Sequence, residues 1–143
     1  MEWDRITQRI DHVSISASLF RALINEVSDE KLEEIAGDLA HKTVKDLSML
    51  EFGKMDIDTL LRMILLIYKY GGLAQASIPV SVEGKVDGQY TINLCQNLGP
   101  KGALILRSFF DHLVRQELGR QPTISVSNDV VTVTFPKLSK TRP

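Results

Sequence analysis

Near residue 73 the spacing of apolar residues changes from helical to strand-like, and that switch sets the architecture open to this chain. Beyond it, SIPVSV and YTINLC alternate apolar with polar residues, and the EGKVDGQ between them supplies the glycines of a hairpin turn. A helix is expected next, from about Gly102 to Leu118, with an apolar stripe of Ile105, Leu106, Phe109, Phe110, Leu113 and Val114. Gly119 ends it, and Arg115 and Arg120 suit its negative end. TISVS and VVTVTF then form a second hairpin about Asn128 and Asp129, and Pro136 stops the last strand. The order is ββαββ. The expected fold class is α+β, with an N-terminal strand and helices packed on a four-stranded antiparallel sheet.

The first half begins with RITQRID, in which Ile6, Gln8 and Ile10 face one way and Arg5, Thr7 and Arg9 the other, as in a short strand. Val13, Ile15 and Ala17 also alternate, so HVSISAS extends that strand or leads out of it, before a short helix over LFRALINEV. Ser28 is a good N-cap, with Asp29 and Glu30 at the positive end of the helix it opens. Leu32, Ile35, Ala36, Leu39, Thr43, Leu47 and Leu50 fall on one face of that helix, and Gly53 is its stop. A third helix, capped by Asp56 or Asp58 and ended by Gly71 and Gly72, is apolar nearly all round, as a buried central helix would be. A lone strand ahead of helices needs a pairing partner, and a second copy of the chain is the simplest, so a homodimer is expected.

At 143 residues with 43% hydrophobic content, the chain suits one α+β domain over residues 1–136, helical in 1–72 and ββαββ in 73–136, followed by a flexible basic tail at 137–143. The net charge of −1 argues against a protein that coats nucleic acid by charge alone. A single cysteine, Cys95, rules out an internal disulfide or a cysteine-based zinc site and fits a reducing compartment; its default role is a small buried hydrophobe. The N-terminus is charged from its second residue, unlike a signal peptide, and the longest apolar run, LLRMILLIY, is too short to span a bilayer. A cytoplasmic protein with no membrane association is expected.

The stretch NLGPKGALILRSFF joins the YTINLC strand to the helix. Gly99 and Gly102 would let a ligand approach the helix N-terminus, and Lys101 would add a positive charge, yet no Walker or dinucleotide fingerprint is present. Read plainly, Pro100 stiffens a turn that starts a helix. His12, His41 and His112 are scattered without acidic partners at ligand spacing, and no metal site is expected. Phe109, Phe110 and Met63 fit either ordinary core or the wall of a cavity.

The segment from Tyr90 to Phe135 resembles the C-terminal half of the heme nitric-oxide/oxygen binding domains and the related vinyl-reductase-type and TRAPP-like small-ligand domains. Those chains have a helical first half, a hairpin, a glycine-containing loop into a long helix, and a closing hairpin. The Tyr-x-Ser-x-Arg motif that holds heme propionates in that family, aligned on Gly102, falls on Asn97, Gly99 and Lys101. Tyrosine and serine are absent, lysine replaces arginine, and no histidine occurs between His41 and His112. The resemblance therefore implies a small-ligand site at Asn97, Gly99, Lys101 and Gly102, with no heme and no other cofactor. RITQRID followed by helices is also similar to archaeal ribbon-helix-helix regulators, which would make Arg5, Thr7 and Arg9 DNA-reading residues in a dimer.

No catalytic motif is present. The expected function is a non-enzymatic regulatory or sensory module binding a small ligand or a protein partner. The alternatives are a dimeric DNA-binding regulator and a structural oligomerisation protein.

Overall fold

The computed structural model describes residues 15–44, 74–77 and 88–136. The RITQRID strand, the expected helix ending at Gly71–Gly72, most of the first hairpin and the basic tail lie outside these residues.

Two helices open the described chain. Helix α1 spans Ala17–Asn25 and is capped by Ser16, whose hydroxyl accepts from the Leu19 amide at 3.2 Å. Ala17 is therefore helical, and the alternation of Val13, Ile15 and Ala17 does not carry a strand that far, because the Ser16 cap starts a helix first. Helix α2, Asp29–Leu39, begins as its sequence predicts: the Ser28 hydroxyl accepts from the Lys31 amide at 3.2 Å, with Asp29 and Glu30 in the first turn. A π turn, Ala40–Val44, follows.

The buried face of α2 differs from the expected stripe. Leu32, Ala36 and Ala40 are buried, whereas Ile35 and Leu39 are more than two-fifths exposed. Residues four apart share a helix face, and the face turned inward is the one whose two alanines let a neighbouring helix come close. Gly37, on the same helix, lies against the His112 ring.

The second half is an antiparallel sheet crossed by one helix. Strand β2 spans Gln89–Gln96, helix α3 Gly99–His112, and strands β3 and β4 Thr123–Ser127 and Val130–Pro136. Helix α3 begins three residues before the expected start at Gly102, so the glycine-rich loop is largely its first turn, with Pro100 in an N-terminal position that needs no amide. It runs into a π turn, Leu113–Glu117, and the chain leaves through Gly119 at φ +65°, the left-handed conformation the sequence assigns to a helix stop. The β3–β4 hairpin turns at Asn128 and Asp129 as expected, with Asn128 at φ 53°.

Strand β4 pairs antiparallel with both β2 and β3, so β2 and β3 run parallel with β4 between them. That relation requires a crossover, which α3 provides. A short strand, β1 (Ala74–Ser77), lies antiparallel along the other side of β2, with Ala74 opposite Gln96 and Ser77 opposite Asn93. Of the expected SIPVSV strand, only Ser77 falls among the described residues, as the last residue of β1.

The register places Ile92 opposite Val133, Leu94 opposite Val131 and Tyr90 opposite Phe135. All these side chains share one sheet face, and α3 covers it with Ala103, Leu106 and Phe110, and the π turn after it with Leu113 and Val114. The Phe110 ring is fully buried at the centre, edge-on to Phe109 at 5.2 Å. The opposite sheet face is polar: Thr91 and Thr134 pair hydroxyls at 3.4 Å, and Thr132 donates to Asn93 at 3.0 Å. Cys95 belongs to this face and is exposed, which corrects the expectation of a buried thiol; strand alternation with Leu94 and Gln96 turned inward leaves it no other side.

A second apolar cluster joins the halves. Ile24 of α1, Leu32 of α2 and Leu98 pack with Phe20, Val27, Leu104 and Ile105. Leu104 and Ile105 lie on the flank of α3 facing away from the sheet, so α3 is shared by both cores.

Phe110→Ala should remove the centre of the larger core. A loss of about 3–5 kcal/mol is expected in urea unfolding of the purified protein, against under about 1 kcal/mol for Val126→Ala on the exposed end of β3.

Candidate functional site

The loop between β2 and α3 is organised by Gln96. Strand alternation turns its side chain inward after Ile92 and Leu94, and it is a buried polar residue, 5% exposed. Its amide is satisfied on both sides: Oε1 accepts from the Leu98 amide at 2.7 Å, and Nε2 donates to the Gly99 carbonyl at 3.2 Å. Its own backbone amide donates to the Asp129 carbonyl at 2.9 Å, which ties the loop to the β3–β4 turn. Gly99 adopts φ +78°, so a side chain there would be strained.

Gly102 is required for a different reason. A Cβ at this position would lie 2.4 Å from Gln96 Oε1 and 2.5 Å from Leu98 Cβ. The first turn of α3 therefore sits directly on the Gln96 amide, and no substituent fits between them.

From this fixed loop, groups reach into the helical half. The Asn97 carbonyl accepts from Arg21 Nη1 of α1 at 2.7 Å, while Arg21 Nη2 donates to the Ser18 hydroxyl at 3.3 Å. The Leu98 side chain enters the second cluster between Ile24 and Leu32. Lys101 Nζ donates to the Val27 carbonyl at 2.6 Å and to Asp29 Oδ1 at 2.8 Å. These groups bind the α1–α2 junction to the start of α3.

Beside this junction lies an open groove of about 430 Å³, lined by Asp29, Pro100, Lys101, Ala103, Leu104, Arg107 and Val126. Its floor is apolar and its rim is charged. Lys101 is already engaged by Asp29, whereas the exposed Arg107 guanidinium has no hydrogen-bond or ion-pair partner among the described residues. The groove can thus offer an uncommitted positive charge next to apolar surface.

Of the four residues singled out from sequence, only Lys101 lines this groove. Gly102 faces down onto Gln96, Asn97 offers its carbonyl to α1, and Gly99 shapes the turn. Arg5, Thr7 and Arg9 lie outside the described residues. Gln96 is the residue sequence reasoning missed, although a polar residue at an inward strand position before a glycine-rich loop is a legible signal. Arg107 and Asp29 carried no such signal, because only the packing of α2 against α3 brings them to one groove.

The structure also pairs two histidines that are far apart in sequence. The His41 and His112 rings meet edge to face at 6.2 Å, where α2 and α3 each pass into a π turn. His112 Nε2 is buried without a hydrogen-bond partner among the described residues. Among those residues, no group of three or more histidine, cysteine, aspartate or glutamate side chains is placed to hold a metal, and no helix is long and apolar enough to cross a membrane.

Comparison of the chain with protein-family models, with curated proteins and with solved structures gives no match.

Two substitutions separate the contributions at the junction. Lys101→Met leaves the Val27 carbonyl without its donor and should cost about 1–2 kcal/mol in urea unfolding. Asp29→Asn should stay within about 0.5 kcal/mol of wild type, because that carboxylate is 64% exposed. Gly102→Ala should lower stability by about 1–3 kcal/mol through overpacking, read as a lower melting temperature. Gly88→Ala, at φ +67° but in open space, tests backbone strain alone and should cost less.

Proposed function

We propose that this chain is a non-enzymatic regulatory or sensory binding module that takes a small ligand or a protein partner at the groove beside Lys101, without heme. The observation that carries this is the Arg107 guanidinium, unpartnered among the described residues, above an apolar floor of Ala103 and Leu104. A small molecule with an anionic end and an apolar body matches both features. Its anion would pair with Arg107 and compete with Asp29 for Lys101. Because Lys101 also holds the Val27 carbonyl, such competition would loosen the α1–α2 junction from α3 and shift the population of helix packings.

The same proposal takes the C-terminal half as a distant, heme-free member of the heme nitric-oxide/oxygen binding superfamily, with a complete four-stranded ββαββ sheet. Its support is the order of strand, glycine-containing loop, long helix and closing hairpin, together with the pairing of Ala74–Ser77 along β2.

Octanoate is a suitable probe, being a carboxylate on an apolar chain. Titration followed by amide chemical shifts should give saturable changes at Lys101, Leu104, Arg107 and Val126. Arg107→Glu should weaken binding by about tenfold or more, a difference of about 1.4 kcal/mol. Shifts confined to the exposed face of α1 around Leu19 and Leu23, or binding unaffected by Arg107→Glu, would reject the site.

A further inference from the structure

Strand β3 pairs with β4 along one edge, and among the described residues nothing pairs with the other. A free strand edge presents backbone N–H and C=O groups to another strand, and proteins commonly guard such edges with lysine, proline or a bulge. Strand β3 has none of these guards. Its sequence is Thr-Ile-Ser-Val-Ser, without charge or proline, and its residues pair one to one with β4 from Thr123 opposite Thr134 to Ser127 opposite Val130. Val126 shares the inward sheet face with Ile124, yet it is 45% exposed. A strand added at the β3 edge would cover part of it.

We propose that β3 pairs antiparallel with β3 of a second copy of this chain, about a two-fold axis at Ser125. The sequence of the strand is compatible with this occupant. With Ser125 opposite itself, Ile124 meets Val126 of the second copy on the inward face, and Thr123 meets Ser127 on the hydroxyl-bearing outer face. Apolar groups oppose apolar groups and hydroxyls oppose hydroxyls, as favourable cross-strand pairs do. The paired residues Thr123–Ser127 carry no charge, so no like charges face each other. A self-complementary strand is what an isologous dimer requires. The pairing would bury Val126 at both ends of the new strand pair and join two sheets into one.

This interface shares Val126 with the groove but needs no ligand to form, and cross-linking at Ser125, which lines no part of the groove, reads the interface alone. The test uses the full chain in a Cys95→Ser background. In Ser125→Cys the two thiols face each other across the axis, with Cα atoms about 4.5–5.5 Å apart, within disulfide reach. In Ser127→Cys the equivalent atoms fall about 14 Å apart from the strand rise. Mild oxidation should cross-link Ser125→Cys readily and Ser127→Cys poorly. The wild-type chain should sediment as a dimer at tens of micromolar concentration, and Val126→Lys, with unchanged circular dichroism, should sediment as a monomer. A monomeric wild-type chain, a dimer that survives Val126→Lys, or cross-linking no faster at position 125 than at 127 would each overturn the proposal. Should Val126→Lys fail to fold, the comparison of positions 125 and 127 decides alone.

Discussion

The buried amide of Gln96 is the contact on which the rest of this structure depends. A primary amide turned into an apolar core is costly unless its donor and its acceptor are both used. Here Leu98 and Gly99 use them, two and three residues downstream, so the side chain fixes the course of the chain as it leaves the sheet. The absence of a Cβ at Gly102 lets α3 settle on that amide, and the axis of the helix follows. Helix α3 in turn covers one sheet face with Leu106 and Phe110 and receives α1 and α2 on its flank.

A loop held this firmly is a joint, and its polar groups show what it joins. The Asn97 carbonyl, the Leu98 side chain and the Lys101 ammonium each reach a residue of the helical half some 70 positions earlier, namely Arg21, the Ile24–Leu32 pocket, and Val27 with Asp29. An exposed ion pair alone would contribute little. The short bond from Lys101 to a main-chain carbonyl matters more, since breaking it leaves that carbonyl without its partner. Whatever acts on Lys101 therefore acts on the packing of α1 and α2 against α3.

Local signals were the legible ones. Ser28 as a cap, Gly119 as a stop, Asn128–Asp129 as a hairpin turn and the inward Ile92, Leu94, Val131 and Val133 all follow from residues within a few positions. Where two local signals competed, the alternation of Val13, Ile15 and Ala17 lost to the Ser16 cap. Ile35 and Leu39 carry a good helical stripe, but which side of α2 turns inward is settled by how closely α3 can approach, and that is a property of two helices together. The groove was the least legible feature. Lys101 stood out because it sits in a glycine-rich loop, whereas Asp29, Arg107 and Val126 come from three separate elements that no spacing rule connects. The glycines suggested an opening for a ligand, while in the structure Gly102 is filled from below by Gln96.

Val126 belongs at once to the wall of the groove and to β3, whose outer edge is unpaired among the described residues. A molecule in the groove and a strand added to β3 would therefore touch the same side chain. If one changes the position or exposure of Val126, it changes the surface offered to the other, and the coupling must be equal in both directions. Under the two proposals, ligand affinity and association would be linked through one valine, with Lys101 carrying the effect onward to the helical half.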